Sequence, residues 1–83
     1  MDHLARTPKQ IGEILRRQRQ ALKLTQQDIR TRTHLRQATV SKLESGEPGV
    51  RMSTLFDILT ALDLELVIRP RTKSSSRDIE ANF

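Results

Sequence analysis

Residues 24–46 read LTQQDIRTRTHLRQATVSKLESG, the pattern of two short helices joined by a tight corner. Thr25 supplies a side-chain oxygen for the free N–H groups of a first helical turn. Asp28, at the third helical position, answers that cap and the positive end of the helix dipole. Ile29 is the only strong apolar residue between positions 25 and 33, so this helix has a single anchor. Leu35 falls in the corner. The next helix is predicted from Arg36 to Glu44, with Val40 and Leu43 facing inward and Gly46 ending it in a left-handed cap. Its other residues include Gln37, Ala38, Thr39, Ser41 and Lys42, mostly short side chains that donate and accept hydrogen bonds.

On the N-terminal side, Thr7-Pro8 fits an N-cap followed by proline at the first helical position. Ile11, Ile14, Leu15 and Leu22 then share a stripe in which Gln18 is the polar gap, predicting a helix over 8–22. Arg16, Arg17 and Arg19 fall outside the stripe and read equally well as a solvated face or as phosphate contacts. On the C-terminal side, Glu47-Pro48-Gly49 is a loop and Ser53 is the expected cap of a further helix. There Leu55, Ile58, Leu59 and Leu62 recur at helical spacing.

After Leu62 the period changes. Leu64, Leu66 and Ile68 alternate with Glu65, Val67 and Arg69 up to Pro70, predicting one strand over 64–69. A lone strand leaves its backbone N–H and C=O groups unsatisfied, and the sequence offers no second strand candidate. Pairing with the same strand of another copy, in a two-fold homodimer, is the economical solution. Leu64, Leu66, Val67 and Ile68 are the expected dimerisation residues; the plainer alternative is a frayed extension of the preceding helix. Residues 1–7 read as a flexible lead-in, 8–70 as one domain, and 71–83 as a disordered tail. The serine run between Lys73 and Arg77 reads as part of a soluble tail, with phosphorylation by a partner kinase as the sharper alternative.

With 83 residues the chain suffices for one small domain, of a size that gains from pairing. It has no cysteine, which removes disulfides and thiolate chemistry. No apolar run is long enough to span a bilayer, so a soluble, cytoplasmic protein is expected. The net charge of +5 is concentrated: eleven of the 15 Lys and Arg lie between Arg6 and Arg51, with only Glu13, Asp28, Glu44 and Glu47 among them. Such a basic stretch attracts DNA, RNA or anionic membrane. Phe56 and Phe83 are the only aromatics, too few for the stacking platforms of single-stranded RNA binding. His3 and His34 have no partner at helical spacing, and the carboxylates are scattered. No catalytic residue, metal ligand, cofactor or small-molecule substrate is therefore assigned, and an enzyme is a poor reading.

The corner at 24–46 decides among the polyanions. Two helices at a tight turn, the second with short polar side chains outward and apolar ones inward, are the build of a helix-turn-helix that enters the DNA major groove. Gln37 can bond adenine bidentately, the Ala38 methyl can touch a thymine methyl, and Arg36 suits guanine or phosphate. Thr25 and Gln26 open the preceding helix, where N–H groups and a glutamine amide can clamp a phosphate.

TQQDIRTRTHLRQATVSKLESG resembles the lambda-repressor/Cro-type (XRE) helix-turn-helix family, whose members typically read TQ..LA...G..Q.TIS..E.G. The resemblance covers about residues 8–62. RQATVSKLE followed by STLFDILTALDLELVIRPR is most similar to the HipB-type antitoxins within it. The resemblance implies an all-α domain of four to five helices with one C-terminal strand paired across a dimer. It implies that Thr25, Gln26 and Gln27 meet the DNA backbone and that Arg36, Gln37, Ala38 and Ser41 meet bases; the residue pattern adds Thr39 and Lys42 to the DNA-binding set. It also implies a bacterial repressor of its own operon, acting on a palindromic operator and binding a HipA-like Ser/Thr kinase toxin. Three positions depart from the family pattern. Arg30 stands where a small alanine is usual, a place from which a long arginine stem can snorkel outward. His34 takes the corner glycine's place, where a left-handed backbone is expected. Thr33 replaces a commoner apolar residue. Two other readings stay open: a DNA-binding scaffold subunit of a multi-component toxin complex that is not itself the neutraliser, and a stand-alone XRE transcriptional regulator.

Overall fold

Thr7 Oγ1 accepts a hydrogen bond from the Gln10 N–H at 3.1 Å, and Pro8 follows at the first helical position. That local signal starts α1 (Pro8–Ala21). It is followed by α2 (Gln26–Thr33), α3 (Gln37–Ser45) and α4 (Met52–Ala61). The computed structural model describes residues 2–71, and among these the regular secondary structure is entirely helical. The expected tail, including its serine run, falls outside the described residues except for Arg71.

The helix ends explain the boundaries. In α2 the capping box is complete: Thr25 Oγ1 accepts from the Asp28 N–H at 3.0 Å, and Asp28 Oδ2 accepts from the Thr25 N–H at 2.7 Å. Three of the four helices close with the same C-terminal motif, in which a left-handed residue turns the chain back and the next N–H bonds the helix's last turn. For α1 the left-handed residue is Lys23, and Leu24 N–H reaches Arg19 O at 3.0 Å. For α3 it is Gly46, with Glu47 N–H on Lys42 O at 3.0 Å. For α4 it is Asp63, with Leu64 N–H on Leu59 O at 2.8 Å. The corner after α2 uses a single bond from His34 N–H to Arg30 O at 2.7 Å, with His34 at φ 63°, as expected for the family's glycine position. Thr33 contributes to that corner: its hydroxyl donates to Ile29 O at 2.7 Å and accepts from the Leu35 N–H at 3.1 Å.

Seven apolar side chains form the buried core: Leu15, Ile29, Val40, Leu43, Ile58, Leu59 and Leu62. Burying each of these stabilises the fold by about 1.5–3 kcal/mol. Ile11, Leu24, Leu35, Val50, Leu55 and Leu64 pack around them. No polar or charged residue belongs to the fully buried set. At the α1–α3 seam the two backbones come close together. A Cβ on Gly12 would lie 2.5 Å from Glu44 O and 2.6 Å from Leu43 O, so α1 can sit against α3 only because residue 12 is glycine. Side chains from two helices finish the end of α4. Gln18 Nε2 donates to Leu62 O at 3.0 Å, and Arg32 Nη1 donates to Ala61 O at 3.1 Å. The polar gap in the α1 stripe is thus a cap for carbonyls that α4 cannot satisfy itself.

The structure refines three expected helix ends. Helix α1 stops at Ala21, and Leu22 caps it at 39 % exposure instead of extending the apolar stripe. Helix α4 begins at Met52 with Arg51 as N-cap and no side-chain cap bond, so Ser53 already lies inside the helix. Helix α3 starts at Gln37, Arg36 serving as its N-cap, and runs one residue further, to Ser45. Residues 64–69 carry no strand among the described residues. A strand is defined by a ladder to a partner, and one chain offers none. Leu64 is also spent locally, its N–H bonding Leu59 O and its half-buried side chain packing on the core.

Candidate nucleic-acid interface

The corner holds α2 and α3 through Ile29, Val40 and Leu43, all within the core. With the inner side of α3 fixed by Val40 and Leu43, its helical period leaves Gln37, Ala38, Ser41 and Ser45 on the outer side, all exposed. Lys42 is exposed at the edge of that stripe, and Arg36 is exposed at its front. Thr39 is half-buried and lies on the other side of α3 from Gln37, so the structure separates it from the rest of the expected base-facing set. Ser45, exposed and one turn on from Ser41, extends that stripe beyond the expected residues.

A polar network ties the outer side of α3 to α1 and α2. Arg19 Nε donates to Glu44 Oε2 at 2.6 Å and Arg19 Nη2 to Glu44 Oε1 at 3.1 Å, with the two side chains only 13 % and 6 % exposed. Arg19 Nη1 donates to Leu24 O at 2.8 Å. Gln26 Nε2 donates to Glu44 Oε1 at 3.1 Å, and Ser41 Oγ donates to Gln26 Oε1 at 3.2 Å. Arg19 is therefore neither a solvated cation nor a free phosphate ligand. It neutralises a carboxylate that would otherwise sit behind the α3 face and repel a polyanion. The 25-residue separation of Arg19 and Glu44 gives no local signal, so the pair was invisible in the sequence.

The N-terminus of α2 presents Thr25 and Gln27 exposed, with Gln26 half-buried. The Asp28 carboxyl is held below the usual carboxylate range, chiefly by the Thr25 backbone N–H, then by the Thr25 hydroxyl and the charge of Arg32. Arg30 reaches the surface only in part: it is half-buried, and Nη1 donates to Gln27 Oε1 at 2.9 Å while its Nε is buried without a partner. Away from this corner in sequence, Met52, Phe56, Leu66, Val67 and Ile68 are exposed at 68, 45, 45, 68 and 90 %. Leu66 and Ile68 line an open groove together with Leu4, Ile11, Ile14 and Leu55. Among the described residues no group of His, Asp or Glu could hold a metal ion, and no helix is long and apolar enough to cross a membrane.

An anchored corner, a second helix with an exposed polar stripe and a basic surround define a helix-turn-helix DNA-binding domain. The chain belongs to the HTH_3 helix-turn-helix family, of the XRE type, with residues 15–68 matching the family. It is 37 % identical over 70 residues to y4dL of Sinorhizobium fredii, an uncharacterised HTH-type transcriptional regulator. That match takes in 82 % of this chain and 35 % of the relative, so the chain spans about a third of the relative's length. The fold is that of HipB. A HipB–O4 20mer complex superposes with TM-score 0.80 at 24 % identity, over 86 % of this chain and 100 % of that one. A HipA–HipB–O2–O3 complex gives 0.79 at 24 % identity over 86 % and 100 %. A HipB–O1–O2 complex gives 0.77 at 25 % identity over 83 % and 100 %.

Proposed function

We propose that this chain is a sequence-specific repressor that binds a palindromic operator as a homodimer, with α3 as the recognition helix. The observation that carries the reading is the exposed stripe of Gln37, Ala38 and Ser41 behind Arg36, on a helix fixed by buried Val40 and Leu43. Arg36, Gln37, Ala38 and Ser41 meet base edges, and Lys42 meets a flanking phosphate. Thr25, Gln26 and Gln27 meet the backbone at the α2 N-terminus, where unpaired N–H groups favour an anion. Thr39 supports α3 from its half-buried side.

Dimerisation through 64–69 is supported by an apolar run that a single chain leaves in water. Leu66, Val67 and Ile68 supply the contact, and pairing with a second copy gives their backbone groups the ladder they lack. Two recognition helices then stand about 34 Å apart, one turn of DNA. Within this scheme 8–70 is the folded unit.

The antitoxin role rests on the likeness to HipB, one relative of the fold being a HipA–HipB–O2–O3 complex. In that reading the dimer represses its own operon and holds a HipA-like Ser/Thr kinase. The likeness to y4dL, described only as a transcriptional regulator, favours a second reading in which the chain regulates transcription without a toxin. Footprinting on the DNA upstream of its own gene tests the repressor reading: a protected inverted repeat supports it, and no protected palindrome overturns it. Adding the purified dimer to a neighbouring kinase separates the two roles. Inhibited phosphorylation supports the antitoxin, and an uninhibited kinase leaves a scaffold or a stand-alone regulator.

A further inference from the structure

Ser41 is anchored in a chain of hydrogen bonds whose direction is determined by its far end. The Glu44 carboxylate only accepts. It takes Arg19 Nε at 2.6 Å and Arg19 Nη2 at 3.1 Å, and it takes Gln26 Nε2 at 3.1 Å. Turning the Gln26 amide over would set its oxygen against a carboxylate oxygen, two acceptors facing each other. The amide orientation is therefore fixed, and Gln26 Oε1 must face Ser41. That oxygen also only accepts, so the bond at 3.2 Å is made with the Ser41 hydroxyl proton. The bonds from Ser41 to Gln26 and from Gln26 to Glu44 thus run one way, toward an ion pair whose side chains are 13 % and 6 % exposed. Ser41 has one proton, and it is already committed. What the exposed hydroxyl offers outward is its lone pairs.

We infer that Ser41 acts in operator recognition as an obligate acceptor, reading the exocyclic amino group of adenine or cytosine and rejecting the acceptor atoms of guanine and thymine; this rests on the DNA-binding reading above. In the major groove the donors are the adenine N6 and cytosine N4 amino groups, whereas guanine N7 and O6 and thymine O4 only accept. A serine on a bare helix can rotate its proton to suit either kind and so discriminates poorly. The buried pair beneath Gln26 removes that freedom. Arg19 and Gln26 are thus positioning residues for specificity, acting through Ser41 without touching the base. Gln37 differs, since its amide has no such tie among the described residues and can present either end to a base.

The test uses the full chain and duplex libraries. Selection with the wild type and with Ser41→Ala identifies the base pair at which the alanine variant loses discrimination. Duplexes are then made with purine for adenine, or pyrimidinone for cytosine, which deletes the amino group, and with a deazapurine lacking N7, which deletes an acceptor. The wild type should lose roughly tenfold in affinity on amino deletion and little on loss of N7, while Ser41→Ala should be indifferent to both. In Gln26→Met the hydroxyl proton is released, and the amino-deletion ratio should shrink toward one even if overall affinity falls. A loss confined to the N7 deletion, or an unchanged ratio in Gln26→Met, overturns the inference. So does a Ser41→Ala profile identical to the wild type. Absence of any sequence preference in the wild type instead overturns the DNA-reading function beneath it.

Discussion

The α1–α3 seam and the C-terminal edge are built on opposite principles. At the seam, Gly12 lets backbone touch backbone, and Arg19, Glu44, Gln26 and Ser41 bond one another in one chain of contacts. At the edge, Met52, Phe56, Leu66, Val67 and Ile68 face outward, and residues 64–69 have no regular structure among the described residues. The seam is complete within one chain; the edge buries its apolar groups only against something else. The seam's rigidity keeps α3 fixed as a unit, and the edge decides how two such units are spaced. A fault at the seam should therefore cost stability and recognition together, whereas a fault at the edge should cost assembly alone.

The largest effect expected is at the ion pair. Arg19→Met leaves the Glu44 carboxylate buried with Gln26 as its only remaining donor. The loss should be about 3–5 kcal/mol of unfolding free energy, read by urea denaturation. Replacing both partners, as Arg19→Met with Glu44→Leu, should recover a large part of that loss, because no buried charge is then left unpaired. Equal instability of the single and double variants would show that packing, not charge, carries the seam. Next is Gly12→Ala, whose Cβ would meet main-chain oxygens at 2.5 and 2.6 Å. Forcing α1 off α3 should cost about 1–3 kcal/mol, again by denaturation. A neutral Gly12→Ala would mean that the two helices separate easily and that the comparison with the edge is mistaken.

At the edge, Val67→Lys with Ile68→Lys should leave the thermal stability of the dilute chain within about 0.5 kcal/mol, since both side chains are exposed in one copy. Sedimentation equilibrium should show the dimer lost. A dimer of unchanged affinity would remove 64–69 from the interface. The smallest effect is the capping box of α2. Folding holds the Asp28 carboxyl below its ordinary value of 3.8, so its contribution is fully present above that value and fades as pH falls through the lower, folded-state value. The wild type should lose part of its α2 helicity below about pH 4, and Asp28→Asn should flatten that part of the pH profile. An identical acid profile in the variant would contradict the assignment.

The parts of this fold legible in the sequence are those set by neighbouring residues. Thr7-Pro8, the Thr25–Asp28 box, the left-handed His34 and the Gly46 stop all act within one helical turn, and each stands where the residue pattern placed it. Leu22 and Ser53 misled for a related reason. A stripe and a cap-forming residue each say that a helix is near, but Lys23 at φ 59° ends α1 first, and Arg51 starts α4 without a side-chain cap. The interface was half legible. The polar stripe of α3 follows from its period, but the bond from Gln26 to Glu44 and that from Arg19 to Glu44 join residues 18 and 25 positions apart. Nothing local marks them. Arg19 sat among other cations and looked like one of them. The alternation at 64–69 is a statement about a partner, and one chain folded alone cannot display it.

Under the proposed function, the finished seam and the unfinished edge act together when the chain binds its operator. Native mass spectrometry of the full chain on a duplex carrying its protected inverted repeat counts the copies bound as half-site spacing is varied. Two copies per duplex are expected, cooperative when the half-sites lie about one turn, roughly 34 Å, apart and weakened by a half-turn insertion. Single copies bound independently at every spacing would contradict it.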